Sequence, residues 1–433
     1  MNYQKSLDWL DSHLDHESMP SGVVAGRVDG LSLEPMRHMM SLLGDPQNEI
    51  PSIHITGTNG KGAVAQMVSA LLAANGLSVG MYSSPHISAI NERIRRNNNP
   101  ISDEDLAEVL TGIAVVEELM TERLSWFELV TAAAFRWFAE VPVEVAVVEV
   151  GLLGRHDATN VIDSQVAVIT TIQGDHTDFA PGWEMAIASE KAGIIGENST
   201  AVIGPMTDEL AAVFRSEGPA RLIRSDEDFE VLSDKVALGG HLVDIKGPRG
   251  IYEEIFLPLR GAHQVANAVI ALAAVEEFFG RALDSEVVRQ AFAELQLEGR
   301  FEVLGYQPLV VIDGAHNEDA IAATARTLDD EFAPVGRRTV VVGLLEGRDP
   351  SRALRAIQHI RPDLVIATTL APPRGVQAQA IAAAATALGL MCEVVEDPVE
   401  AVQRARRISD EEDMVMIIGS FRLIAPAKFA LGK

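Results

Sequence analysis

The chain has one cysteine, Cys392, and few cations: Lys and Arg total 35 against 62 Asp and Glu, a formal net charge of −27. A single thiol builds neither a disulfide framework nor a thiolate metal cage, so the composition fits a reducing cytoplasm. So negative a chain opposes sequence-independent nucleic-acid binding and docking on anionic membranes, since both need a basic surface. A small anionic substrate is still compatible, because a few local cations outweigh a distant negative field. No apolar stretch approaches the roughly 20 residues of a membrane span, and Met1–Ser6 opens no charged-then-apolar export signal. Internal repeats and low-complexity segments are also missing. The expectation is a cytoplasmic protein without nucleic-acid or membrane partners.

What is present is an α/β pattern. The 433 residues, 47% of them hydrophobic, are enough for two or three cored domains. Ile50–Thr56, Val143–Val150 and Gln165–Ile172 read as strands and the stretch from Lys61 to Asn75 as a helix. Unbroken apolar strands of this kind suit a parallel sheet covered on both faces. After Gly193 the pattern becomes irregular. Residues 241–258 read as a hairpin, and a helix resumes from His263 to Phe279. Beyond an acidic hinge near Glu298-Gly299-Arg300, strands at Leu309–Ile312, Thr339–Val342, Leu364–Ala367 and Met414–Ile418 alternate with helical stretches. The fold class is α/β: a mostly parallel open sheet with a phosphate loop in residues 1–297, and a smaller Rossmann-like unit in 298–433.

The strongest local signal is Gly57-Thr58-Asn59-Gly60-Lys61-Gly62-Ala63, between a strand and a helix. Glycines there let backbone N–H groups approach a phosphate, the helix N-terminus adds partial positive charge, and a lysine can bridge terminal phosphates. It departs from the standard phosphate loop, because Gly62 follows the lysine where Ser or Thr is usual. An ordinary strand-to-helix turn is the alternative. Glu149 ends an apolar strand, where a carboxylate faces the crevice of a parallel sheet.

The run Gly57–Gly62 closely resembles the phosphate loop of the folylpolyglutamate synthase/dihydrofolate synthase family, relatives of the Mur ligases. Further matching tags follow in order along almost the whole chain: Ser83-Ser84-Pro85-His86, Asn91-Glu92-Arg93-Ile94, Trp126-Phe127-Glu128 and Val147–Gly151. Then come Asp157–Asn160, Asp175-His176, Glu190–Ile195, His263-Gln264 with Asn267-Ala268, Gly299-Arg300 and Asp313–Asn317. The resemblance implies an ATP-dependent ligase that adds L-glutamate to dihydropteroate or a reduced folate, acting as a monomer. Its residues 1–297 would bind ATP and substrate, and 298–433 would form the glutamate-ligase domain.

The resemblance also implies the site. ATP would meet Thr58, Asn59, Gly60, Lys61, Gly62, Ala63, Asn267, Arg300, Asp313 and His316. Two Mg²⁺ ions, with K⁺ as an additional candidate, would be held by Ser84, Glu149, His176 and a carbamylated Lys191; Lys61, Lys191 and His176 would be the catalytic group. The pterin-bearing substrate would meet Ser125, Trp126, Phe127 and Glu128, then His156, Asp157 and Ala158. Phe127 and Trp126 offer stacking area for a flat heterocycle, and helix-core packing suits one of them equally well. Taken singly, each residue has a plainer reading: a turn serine, an edge carboxylate, a loop histidine, a helix-surface lysine pairing with Glu190 or Glu184, a capped turn at Asp313-Gly314. Asp313→Ala is expected to weaken ATP binding with little loss of fold. Three positions depart from the family pattern: Ala63 stands for a hydroxyl residue, and Leu153 and Ser32 for glycines. Rival functions are a Mur-type ligase on another carboxylate and a non-catalytic ATP-binding relative.

Overall fold

The computed structural model describes residues 1–14, 32–175, 177, 179–371 and 374–433. The first sheet comprises β1 (Ser52–Thr56), β2 (Val79–Tyr82), β3 (Ile94–Arg96), β4 (Asn99–Pro100), β5 (Val145–Glu149), β6 (Val166–Ile169), β7 (Thr200–Ile203) and β8 (Arg221–Arg224). Their order is β4-β3-β2-β5-β1-β6-β7-β8. The pairings from β2 across to β8 are parallel, and β3 and β4 add an antiparallel edge. Alternation along β5 shows why such strands are apolar throughout. Val145 and Val147 enter the core under the helices Lys61–Ala74 and Ala262–Phe279. Ala146 and Val148 enter a second core under the helices Asp103–Glu117 and Trp126–Glu140. With a side-chain period of two and both faces covered, the run Val145–Val148 is apolar at every position, and a charged residue enters only at the strand end, Glu149.

A second sheet is three-stranded and antiparallel: β9 (Glu230–Ala237), β10 (Gly240–Lys246) and β11 (Ile251–Leu257). The expected hairpin is there, extended by β9. The third sheet contains β12 (Glu302–Tyr306), β13 (Leu309–Asp313), β14 (Arg338–Val342), β15 (Leu364–Ala367), β16 (Cys392–Val394) and β17 (Met414–Ile418), in the order β12-β13-β17-β14-β15-β16. Only β12 runs antiparallel. One expectation is corrected: the stretch after Gly193 is not irregular. It continues the βα pattern through β7, the helix Asp208–Ser216 and β8. Those strands are four residues each, and β8 carries Arg221 and Arg224, so no apolar run announced them. Among the described residues, no helix is long and apolar enough to cross a membrane.

The second and third sheets are clasped through Glu331. This carboxylate ends the helix Glu318–Glu331, where the helix dipole disfavours negative charge, so it needs compensation from outside. It receives His241 Nε2 of β10 at 3.0 Å, Arg260 Nη1 at 3.2 Å and the Gly261 N–H. His241 Nδ1 meets Asp234 at 2.6 Å. The hydrogen bond to Glu331 raises the His241 pKa above its ordinary 6.5 despite burial, with help from Asp234. Burial, the largest single influence, would raise Glu331, but the His241 hydrogen bond, the Gly261 N–H and the His241 and Arg260 charges together outweigh it and hold the carboxyl below its ordinary 4.5.

A raised histidine pKa gives stability that is complete below the unfolded value and lost as pH rises through the folded one. The depressed carboxyl gives stability present above its unfolded value and lost as pH falls. The clasp is therefore strongest between about pH 4.5 and 6.5. His241→Gln should cost about 1–3 kcal/mol near pH 6, and less above about pH 8. Paired thermal melts across pH check this; a pH-independent difference contradicts it.

Candidate active site

The loop after β1 is shaped by two glycines. Gly57 has φ of 148°, and a Cβ there would lie 1.8 Å from Thr170 Oγ1, so only glycine fits. Gly60 caps the helix Lys61–Ala74 at φ of 89°, and its Cβ would meet Asn267 Oδ1 at 2.5 Å. Asn267, near the start of the helix Ala262–Phe279, thus lies directly against the loop. The N–H groups of Lys61, Gly62 and Ala63 open the helix without intrahelical partners, a ready site for an anion. Ala63 offers that N–H only, because its side chain is buried in the core.

Lys61 folds back so that Nζ donates to the Gly57 carbonyl at 3.1 Å and the Thr58 carbonyl at 3.4 Å. Thr58 is held by hydrogen bonds to the backbone of Gln173. Lys191 reaches the same place from the last turn of the helix Trp183–Ala192, and its Nζ donates to Gly57 O at 2.8 Å. It is 4% exposed, which excludes the helix-surface alternative. Burial, then the neighbouring Lys61 charge, push its pKa well below 10.5, against the pull of Asp175 and Asp157.

Glu149 stands at the end of β5, in register with Ile55 of β1, and is 3% exposed. Its Oε2 accepts the Ser84 N–H at 3.1 Å. Burial raises its pKa, opposed by Lys61, the Ser84 N–H, Arg300 and Arg93. A Cβ on Gly62 would sit 3.4 Å from Glu149 and 3.5 Å from Arg300 Nη2. The loop, the carboxylate and the guanidinium from the far side of the hinge therefore share one corner. Arg300 is held there over the Phe421 ring at 4.3 Å. A cleft of about 700 Å³ opens at this corner, lined by Gly62, Ser84, Glu149, Arg300 and Phe421 among others.

From the third sheet, Asp313 ends β13 and is buried. Its carboxylate accepts Ala315 N–H at 2.9 Å, Phe301 N–H at 3.2 Å and Thr324 Oγ1 at 3.0 Å. These bonds oppose the expectation of little loss of fold on truncation, since alanine would strand the buried Ala315 and Phe301 N–H groups, while Thr324 keeps the Ala320 carbonyl. Asp313→Ala should lose about 2–4 kcal/mol of stability in addition to weakening ATP binding. Denaturant unfolding and calorimetry read the two effects separately; an unchanged unfolding midpoint contradicts the anchoring role. His316 Nδ1 lies 2.9 Å from Gly314 O, and burial lowers its pKa to about 4, so the ring is neutral at pH 7.

Of the four expected metal-holding residues, Ser84, Glu149 and Lys191 come together around the loop. His176 lies outside the described residues. Among the described residues, no group of three His, Cys, Asp or Glu side chains is arranged to hold a metal. The donor set nevertheless suits a hard cation, because Glu149 uses one acceptor site on Ser84 N–H and keeps free lone pairs. Lys191 joins such a set only after conversion to an anion.

The substrate-side residues are mostly committed elsewhere. Ser125 and Glu128 satisfy each other as a capping box on the helix Trp126–Glu140. Trp126 is packed in the core, its Nε1 on Asp11 and one face under Arg93 at 4.7 Å. Phe127 is only partly buried, and its ring lies against Gly151. Asp157 is buried and pins the Leu152 and Thr159 N–H groups, and Ala158 is core. His156 lines a separate cavity of about 400 Å³ with Ser32, Arg37, Arg155 and Asn160. Leu153 has φ of 57°, the left-handed region that glycine prefers, which accounts for the family's glycine there.

Several neighbours of the site gave no sequence signal. Thr170 Oγ1 donates to Asn59 O at 2.6 Å, and Gln173 Oε1 accepts Asn59 Nδ2 at 2.7 Å. Arg348 pairs with Asp175 across the two sheets.

Residues 55–275 match the Mur ligase middle domain, and residues 299–421 match the Mur ligase glutamate ligase domain. The dihydrofolate synthase/folylpolyglutamate synthase of Mycobacterium tuberculosis is 41% identical over 386 residues, covering 83% of this chain and 78% of that protein. Mycobacterium tuberculosis folylpolyglutamate synthase complexed with ADP superposes with a TM-score of 0.91 at 36% identity, covering 100% of this chain and 98% of that one. The bifunctional folylpolyglutamate synthase/dihydrofolate synthase solved with Mn, AMPPNP and L-glutamate gives 0.84 at 29% identity, covering 100% and 98%. Fold and domain matches define an ATP-dependent acid–amino-acid ligase of the Mur type. Within that class, the chain belongs to the dihydrofolate synthase/folylpolyglutamate synthase family.

Proposed function

We propose that this chain joins L-glutamate to dihydropteroate, a reduced folate, or both, through an acyl phosphate made from ATP. The observation that carries the reading is the convergence of Lys61 and Lys191 on the Gly57 carbonyl, beside buried Glu149. A substrate carboxylate oxygen attacks the γ-phosphorus and ADP leaves. The neutral amine of glutamate then attacks the acyl carbon, the C–O bond to phosphate breaks with its electron pair going to phosphate, the amine gives up one proton to the departing phosphate or to solvent, and the amide forms. Lys61 and Arg300 offset charge on the transferring phosphoryl group. Bound Mg²⁺ would supply further charge neutralisation there, held by Ser84, Glu149, His176 and a carbamate on Lys191. Carbon dioxide adds only to a neutral amine, and the lowered Lys191 pKa supplies one.

The loop N–H groups, Thr58, Asn59 and Asn267 take the phosphates, and Asp313 and His316 the nucleoside side. Asp313 keeps lone-pair capacity for a hydroxyl beyond its three bonds. Phe127 is the stacking face for the pterin, Trp126 being packed. We place the domain boundary at 297/298 and the enzyme in the cytoplasm, working as a monomer because both halves of the site come from one chain. A ligase for another carboxylate would have no need of the pterin side, and the family membership favours folate chemistry. Phosphate release from ATP and glutamate with a panel of pterin acids tests the reading. Release should require both glutamate and a pterin acid; no release with any of them contradicts it.

A further inference from the structure

The two units are tied at the phosphate loop by a reciprocal pair of amides. Asn317 opens the helix Glu318–Glu331, and its Oδ1 accepts the Ala320 N–H at 2.9 Å. That bond fixes which end of the amide is oxygen, so Nδ2 must point the other way. It donates to Asn59 Oδ1 at 2.9 Å. Asn59 Nδ2 in turn donates to Asn317 Oδ1 at 3.1 Å and to Gln173 Oε1 at 2.7 Å. Asn317 is 7% exposed, and its amide hydrogen bonds are directional where an ion pair's are not. The Asn59 backbone is fixed as well: its N–H donates to Thr171 Oγ1 at 3.1 Å and its carbonyl accepts Thr170 Oγ1. A second tie runs alongside, where Arg348 Nη2 meets Asp175 Oδ2 at 3.2 Å and Arg352 lies 3.5 Å over the Phe179 ring.

We propose that Asn317 is a positioning residue: through Asn59 it locks the third-sheet unit onto the phosphate loop and keeps water from the acyl phosphate. The inference rests on the ligase reading above and adds a residue to it. An acyl phosphate can be lost to water. The water oxygen bonds to the acyl carbon, the C–O bond to phosphate breaks, and the phosphate leaves with the electron pair. One proton goes to phosphate and one to solvent, and the original carboxylate returns. Each such event consumes ATP without making amide. A lock placed at the loop, between the half that holds the phosphates and the third-sheet unit beyond Glu298-Gly299-Arg300, limits that loss.

Asn317→Asp separates the two roles of the side chain. It keeps an oxygen for the Ala320 N–H, so the helix cap survives. It loses the donor to Asn59 Oδ1 and sets two oxygens against each other. Phosphate and amide product are counted in the same reaction, with ATP, glutamate and either dihydropteroate or tetrahydrofolate. The wild type should give about one phosphate per amide, by the stoichiometry of the reaction. Asn317→Asp should raise the ratio at least about threefold and lower kcat for amide roughly tenfold, with KM for ATP changed less than about threefold. Asn317→Ser, which retains a capping oxygen but cannot span to Asn59, is read the same way and stands in if the aspartate variant does not fold. A ratio of about one in a folded variant overturns the inference, whether or not kcat falls. A wild type that forms no amide overturns instead the ligase reading, so the two failures are distinguishable.

Discussion

Lys191→Ala is expected to lose turnover by roughly 10²–10³-fold and to recover part of it in formate or acetate. The lysine is buried against the Gly57 carbonyl and beside Lys61, with its pKa well below the ordinary value. Such an amine is uncharged for a larger fraction of the time and open to carbon dioxide. As the free ammonium it would add a second cation to the corner proposed to hold Mg²⁺; as a carbamate it would supply an oxygen ligand. A short carboxylic acid entering the space left by truncation restores such an oxygen. A structural lysine predicts otherwise: lost stability, no rescue by acid, and near-normal turnover in whatever fraction folds. Turnover with and without added acid, with mass analysis for the carbamate on the wild-type chain, separates the two.

Glu149→Gln should leave nucleotide binding measurable and reduce turnover by a similar factor, roughly 10²–10³-fold. The amide keeps the shape and an oxygen for the Ser84 N–H but loses the charge a hard cation prefers. Because burial already disfavours the charged carboxylate, the variant should be no less stable than the wild type, and up to about 2 kcal/mol more stable. Lost activity with retained stability is the signature of a ligand-facing carboxylate. A variant that melts early and turns over normally would make Glu149 a sheet-edge residue only.

Much of this arrangement was legible because parallel strands announce themselves. Leu364–Ala367 and Met414–Ile418 read from sequence as they stand in the structure, since both faces are covered and each residue is apolar. Strand ends drifted where polar residues take over. Gln165–Ile172 stops at Ile169 because Thr170 and Thr171 turn to hold Asn59. The strand β9 gave no signal because most of its side chains are solvent-facing. Around the site, glycine and lysine carry their own geometric signatures, so the loop was readable. The interdomain ties were not: Asn317 and Asn59 are 258 positions apart, and neither residue type advertises a partner. Nor does sequence distinguish a Trp126 packed under Arg93 from a Phe127 lying beside an open loop. Asp313 looked like a ligand-facing edge residue, and only its three buried donors reveal that it also holds the hinge.

The acyl-phosphate claim is tested most directly by following oxygen. Dihydropteroate labelled with ¹⁸O in its carboxylate is incubated with ATP and L-glutamate, and the inorganic phosphate is analysed by mass. The account predicts one labelled oxygen in each phosphate released, and a glutamyl amide formed in equal amount. Unlabelled phosphate released alongside amide would contradict it.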